Sequence, residues 1–150
     1  DQLQDWSVFY DFIKAGKRGL EELEFLSAGH HGHQIWPGLD VATADFKVQK
    51  RRFSAFIQGS SDLHAILQER GIDTVVVTGT LTNVCCLTTA LDARMLNYKV
   101  VMVADANAAL SDQSHNAALA IVCELFGDVR TTDEVVALLA EGGTDQAAAE

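Results

Sequence analysis

The residues that most constrain this chain run from Thr74 to Ala93, TVVVTGTLTNVCCLTTALDA. Thr74 to Val77 is a β-branched run, too short for a buried helix and suited to a central strand, so Gly79 ends a strand rather than interrupting a helix. A helix is predicted to follow almost at once. Thr82 or Asn83 can cap it, and Val84, Leu87, Leu91 and Met95 recur near helical spacing as its core-facing side. Cys85 then falls in the first helical turn, at the carboxyl end of a strand. There, unpaired backbone N–H groups and the positive end of the helix dipole favour a thiolate, the form of cysteine that attacks carbon. The same N–H groups can hold a developing oxyanion. Position alone leaves the ordinary alternative open, in which a free cysteine is a small buried hydrophobe.

Strands and helices alternate from Asp45 onward. Phe46 and Val48 alternate with polar neighbours, which predicts a short strand ending at Lys50. Ser60 or Ser61 can cap a helix through Arg70, with Leu63, Ile66 and Leu67 on one face and Gly71 as its stop. The strand Thr74 to Thr78, the cysteine helix to Leu96 and a strand Val100 to Val103 come next. Ser111 or Asp112 can cap a helix that carries Ala117, Ala118, Ile121, Val122 and Leu125 to Gly127. A short strand around Val129 follows, and Thr131 with Glu134 makes a capping box for a last helix through Leu139. The tail from Gly142 is expected to fray. This order predicts one α/β domain over residues 1–150, a three-layer Rossmann-like fold with a parallel sheet flanked by helices. Ligands in such sheets bind beyond the carboxyl ends of the strands, where the pattern places both Lys50 and Cys85. An ammonium beside a thiol lowers the thiol pKa and helps to stabilise a negative intermediate.

The amino-terminal third is less regular. Trp6 to Ile13 is aromatic enough to be buried but follows neither period, Lys14 to Gly19 reads as a loop, and Glu21 to Leu26 as a short helical turn. Ala28 to Leu39 is a Gly-rich, Pro-containing connection. Its His30, His31 and His33 have no carboxylate or cysteine close by at a familiar ligand spacing, so a solvated loop is favoured and no metal is expected.

Composition narrows the function classes. A chain of 150 residues with 48% hydrophobic content and one proline can build a packed globule. Its net charge of -10 argues against a nucleic-acid partner, which needs clustered Lys and Arg. No stretch approaches the roughly 20 apolar residues that cross a bilayer, so no membrane partner is expected. Three cysteines, two of them adjacent, form neither a disulfide framework nor a paired zinc spacing, which fits a reducing, cytoplasmic compartment.

The segment GTLTNVCCLTTALDA resembles the signature of the isochorismatase-like cysteine hydrolases, the superfamily that includes nicotinamidase, N-carbamoylsarcosine amidohydrolase and ureidoacrylate hydrolase. VQKRRFSAF resembles its second motif, and the similarity extends from about Gly29 to Leu139, including Asp105, His115 and FGDVRTTDEV. The resemblance implies that Cys85 is the nucleophile, that Lys50 belongs to a triad of aspartate, lysine and cysteine, and that the backbone N–H groups of Leu81 and Cys85 bind the oxyanion. It implies a cis peptide bond before Leu81, a packing role for Cys86 and a loop-bracing role for Asp105. His115 reads as a partly exposed helix residue. A small amide or ureido substrate, no cofactor and a homo-oligomer are the corresponding expectations.

One element of the resemblance is missing. Family members begin with a strand ending in a D-x-Q-x-x-F type motif, whose aspartate is the general acid/base, followed by a helix and a second strand. Neither strand is visible here, and Asp11 is only a weak substitute for the aspartate. In the family strand order 3-2-1-4-5-6 those strands lie between the Lys50 strand and the Thr74 strand. Two other classes therefore stay in view: a catalytically silent subunit, and a nucleotide- or flavin-binding domain, which the absence of G-x-G-x-x-G and P-loop patterns disfavours.

Overall fold

A computed structural model describes residues 6–15 and 26–147, which divide into two compact units, residues 1–46 and 47–150. In the first unit, helix α1 spans Ser7–Ala15, with the Trp6 and Phe9 rings stacked 4.2 Å apart. A single 3-10 turn covers His31–His33. The helical turn expected over residues 21–26 lies, apart from Leu26, outside the described residues.

The second unit carries the alternating pattern. Helix α2 (Leu63–Glu69) leads into strand β1 (Thr74–Thr80), a π-helical turn (Thr82–Cys86) and helix α3 (Leu87–Met95). Strand β2 (Lys99–Ala108), helix α4 (Asp112–Ile121), a second π-helical turn (Val122–Phe126), strand β3 (Asp128–Arg130) and helix α5 (Thr132–Ala147) complete it. The three strands form a parallel sheet in the order β1-β2-β3, flanked by helices. Among the described residues no helix is long and apolar enough to cross a membrane.

Alternation along the strands sets the core. Val75 and Val77 of β1 and Val100 and Met102 of β2 pack with Cys86, Ala90 and Ala93 of the cysteine segment and with Val122, and Met102 is wholly buried. The predicted inner side of the cysteine helix is therefore corrected. Met95 is exposed, and the fully buried stripe is Cys86, Ala90 and Ala93, because small residues let a helix lie close to strands; Leu87 packs against that core half-buried as predicted, while Val84 and Leu91 are half-buried outside it.

Turn and cap chemistry follows the sequence in most places. Gly71 ends α2 with φ +64, and the N–H groups of Gly71 and Ile72 donate to the carbonyls of Gln68 and Leu67. The Ser111 hydroxyl accepts from the Ser114 N–H at the start of α4. The Thr131–Glu134 box closes both ways: Thr131 N–H donates to Glu134 at 2.8 Å, and Glu134 N–H to the Thr131 hydroxyl at 3.3 Å. Helix α5 continues past Leu139, where the sequence predicts its end, as far as Ala147.

Gly127 is required for space. Its φ of 179 is extended backbone that any residue adopts, but an added Cβ would lie 2.6 Å from the Val100 carbonyl oxygen and 2.9 Å from the Val100 Cβ. A strand carbonyl in the core cannot withdraw as a flexible side chain can. Gly127→Ala is expected to destabilise the fold by about 1–3 kcal/mol, seen as a lower urea midpoint with unchanged slope. An unchanged midpoint would contradict this packing.

The strand predicted to end at Lys50 does not form. Residues 45–50 carry no ladder, since a strand needs a partner and the described sheet consists only of β1, β2 and β3. The chain is instead organised here by a self-closing loop. Arg51 N–H donates to the Ser60 carbonyl at 2.9 Å, and the buried Ser60 hydroxyl donates to the Ser54 carbonyl at 2.5 Å.

Candidate active site

Where β1 ends, its register with β2 shifts between Val77 and Gly79, and Gly79 takes φ +112. The Thr80–Leu81 peptide bond is cis, as the resemblance implied. Leu81 is extended, and its carbonyl accepts from both Val84 N–H at 3.0 Å and Cys86 N–H at 3.2 Å. That pair of bonds winds the first turn wide, so Cys85 sits in a π-helical turn rather than the α-helical one expected.

Neither predicted cap operates. No side chain caps this turn. Thr82 is wholly buried, and its hydroxyl lies 2.9 Å from Nδ1 of the half-buried His115 on α4. A net hydrogen bond of this kind stabilises by about 0.5–1.5 kcal/mol, and a buried hydroxyl stripped of its partner costs about 1–3 kcal/mol. The sequence reading of His115 as a partly exposed helix residue matches its burial but misses this partner, which no spacing rule reveals.

The adjacent cysteines have opposite environments. Cys86 is 5% exposed, its Sγ donates toward the Thr78 carbonyl at 3.8 Å, and its thiol pKa is pushed up to about 11. Burial is the main cause; neighbouring Cys85 adds to the rise, while the Lys50 ammonium opposes it. At neutral pH Cys86 is a packed thiol. Cys85 is half-buried, and Cys123, on the second π-helical turn, is exposed.

Lys50 reaches this region from its loop. Its Nζ donates to the Arg52 carbonyl at 3.0 Å, and its charge is felt at the Cys86 sulfur. The loop is joined to the cysteine helix by Ala55 N–H, which donates to the Thr89 hydroxyl of α3 at 3.1 Å. A second tie is aromatic: Phe56 lies 5.4 Å from Tyr98 between ring centroids, and the Tyr98 hydroxyl lies 2.9 Å from Nδ1 of His64 on α2. Lys50 and Cys85 thus belong to one compact unit although no strand carries the lysine.

The other acidic candidates lie elsewhere. Asp105 accepts from the Thr132 N–H at 2.7 Å and the Thr132 hydroxyl at 2.9 Å, which holds its carboxyl below the usual range and fastens β2 to the start of α5. This is the bracing role that the resemblance implied. Asp11 is exposed on α1, in the first unit. Among the described residues no hydrogen bond or ion pair joins Cys85 to a carboxylate. A cavity of about 450 Å³ is lined by Lys47, Gln49, Arg51, Ser60 and Asp62 among others, but by neither Lys50 nor Cys85.

Comparison with known proteins follows the same lines. A family model described as the isochorismatase domain matches residues 14–134. The ureidoacrylate amidohydrolase RutB of Pseudomonas savastanoi pv. phaseolicola is 35% identical over 119 residues, 79% of this chain and 48% of that protein. A probable inactive nicotinamidase of Arabidopsis thaliana is 40% identical over 91 residues, 59% of this chain and 45% of that protein. The crystal structure of a cysteine hydrolase from Pseudomonas syringae pv. phaseolicola matches with a TM-score of 0.70 at 30% identity, covering 78% of this chain and 61% of that one. The chain spans about half the length of the curated relatives it matches. With a family match over most of its residues and a fold that matches a solved relative, the chain belongs to the isochorismatase family.

Proposed function

We propose that this chain supplies the nucleophile and the cation of a cysteine-dependent amidohydrolase that cleaves a C–N bond of a small amide, carbamoyl or ureido compound through a thioester. The observation that carries the reading is the placement of Cys85, a half-buried thiol in the turn beyond the carboxyl end of β1, in the same compact unit as Lys50. Relatives named as a ureidoacrylate amidohydrolase and a cysteine hydrolase support the class of reaction.

In this mechanism a carboxylate, the role that the family resemblance gives to its aspartate motif, takes the Cys85 proton. The thiolate adds to the carbonyl carbon, and the oxygen gains a negative charge that the N–H groups of Leu81 and Cys85 stabilise, with Lys50 adding positive potential. The carbonyl reforms as the C–N bond breaks, and the departing nitrogen takes the proton to leave as ammonia or an amine. Water then loses a proton to the same carboxylate and attacks the thioester; collapse frees the acid and returns the proton to sulfur.

A second reading is a catalytically silent subunit. It is favoured by the lack of a carboxylate bonded to Cys85 among the described residues, and one relative is itself named as probably inactive. Ammonia release from a panel of small amides and ureido acids, compared between the parent chain and Cys85→Ala, tests the two. Release confined to the parent supports the hydrolase; release equal in both chains would overturn it.

A further inference from the structure

We propose that Thr82 and His115 form a positioning pair, in which the hydrogen bond from α4 to the first residue of the π-helical turn sets where Cys85 and the Leu81 N–H stand. The proposal rests on the hydrolase reading of Cys85.

The turn is packed between β1 and helices α3 and α4, and its hydrogen bonds decide where its front stands. At its start the Leu81 carbonyl anchors the backbone, shared between Val84 and Cys86, and no side-chain hydrogen bond caps the turn among the described residues. Behind Cys85, the Thr88 hydroxyl donates to the Val84 carbonyl at 2.8 Å, and Cys86 is held in the core against Thr78. These bonds fix the rear of the turn. Among the described residues the front is tied laterally by a side-chain hydrogen bond, the 2.9 Å bond between Thr82 Oγ1 and His115 Nδ1. Thr82 is 0% exposed, so bulk water does not reach the bond.

The other end of the strut is stationary. Helix α4 is capped by Ser111 and pinned by Ala118, which is 1% exposed, with Val122 wholly buried just beyond its end. Two residues separate Thr82 from Cys85, and one separates it from Thr80, so a displaced Thr82 moves both the attacking sulfur and the N–H groups assigned to the oxyanion. Displacements of about 1 Å in such arrays cost about 10²-fold in rate without altering ground-state binding much.

Valine matches threonine in shape without the hydroxyl, and leucine fills the place of histidine without its nitrogen. In the full chain, Thr82→Val and His115→Leu are each expected to lower kcat for a small amide by about 10- to 100-fold while KM stays within about twofold. Thr82→Ser keeps the hydroxyl, and His115→Asn keeps a polar atom near the Nδ1 position; both should retain most of kcat. The double variant should be no worse than the poorer single one, because each removes the same bond.

A readout without substrate accompanies these rates: carbamidomethylation by iodoacetamide at neutral pH, followed at each cysteine by peptide mass spectrometry. Thr82→Val should slow labelling at Cys85 and leave Cys123 unchanged. If no chain turns over any amide yet Cys85 labelling still falls, the positioning pair stands and the hydrolase reading fails. If the parent is active and Thr82→Val matches it in kcat and in Cys85 labelling, or loses only melting temperature, the positioning pair is overturned and the hydrolase reading stands.

Discussion

Replacing Cys85 by alanine is expected to lower amide turnover by about 10⁴-fold or more, while Cys86→Ala keeps most of the activity. In the proposed mechanism, loss of the covalent nucleophile closes the route through the thioester. The fold should survive, since one sulfur removed from a half-buried turn leaves a small void. Cys86 presents the opposite balance. It is buried against β1 with its thiol held protonated to about pH 11, so its loss should cost stability on the order of 1 kcal/mol and little rate. The check is steady-state ammonia release together with a melting curve for each variant. Equal losses of rate from both substitutions would mean that the other sulfur faces the substrate.

Lys50→Gln should reduce kcat/KM by about 10²-fold, the scale on which removing one preorganised donor to a developing oxyanion operates. Glutamine can still donate to the Arg52 carbonyl, which Lys50 reaches at 3.0 Å, so the loop keeps its closure while the charge is lost. The charge is the quantity of interest, because the proposed role of Lys50 is to add positive potential at the developing oxyanion. Lys47→Gln serves as the control: Lys47 lines the separate cavity, and its loss should leave turnover within about twofold. A Lys50→Gln enzyme as fast as its parent would remove the lysine from the mechanism.

What was legible in the sequence was the order of elements and the chemistry of their ends. β1, β2 and β3, the Gly71 stop, the Ser111 cap and the Thr131–Glu134 box are all local signals: β-branched runs, a glycine with positive φ, a hydroxyl three residues before a partner. The placement of Cys85 beyond β1 was legible for the same reason.

The departures share a cause, which is that tertiary partners overrule local pattern. Phe46 and Val48 alternate as a strand should, yet no strand among those described lies beside them to accept the ladder. Val84, Leu87, Leu91 and Met95 are more hydrophobic than Cys86, Ala90 and Ala93, yet the smaller set is the fully buried one, because closeness of approach rather than hydrophobicity decides which face is buried. Thr82 has the composition of a cap. Its hydroxyl is taken by His115, a residue 33 positions away, and no local rule anticipates that bond.

The measurement that tests the central claim most directly is the order in which the three cysteines react with iodoacetamide near neutral pH, read by peptide mass spectrometry on the intact chain. Exposure alone ranks Cys123 first, Cys85 second and Cys86 last. A nucleophile at the start of a turn predicts a different order: Cys85 labelled before the more accessible Cys123, with Cys86 inert until the pH approaches about 11. Labelling that follows exposure, with Cys123 modified first and Cys85 slow, would contradict the assignment of Cys85 as the reactive thiol.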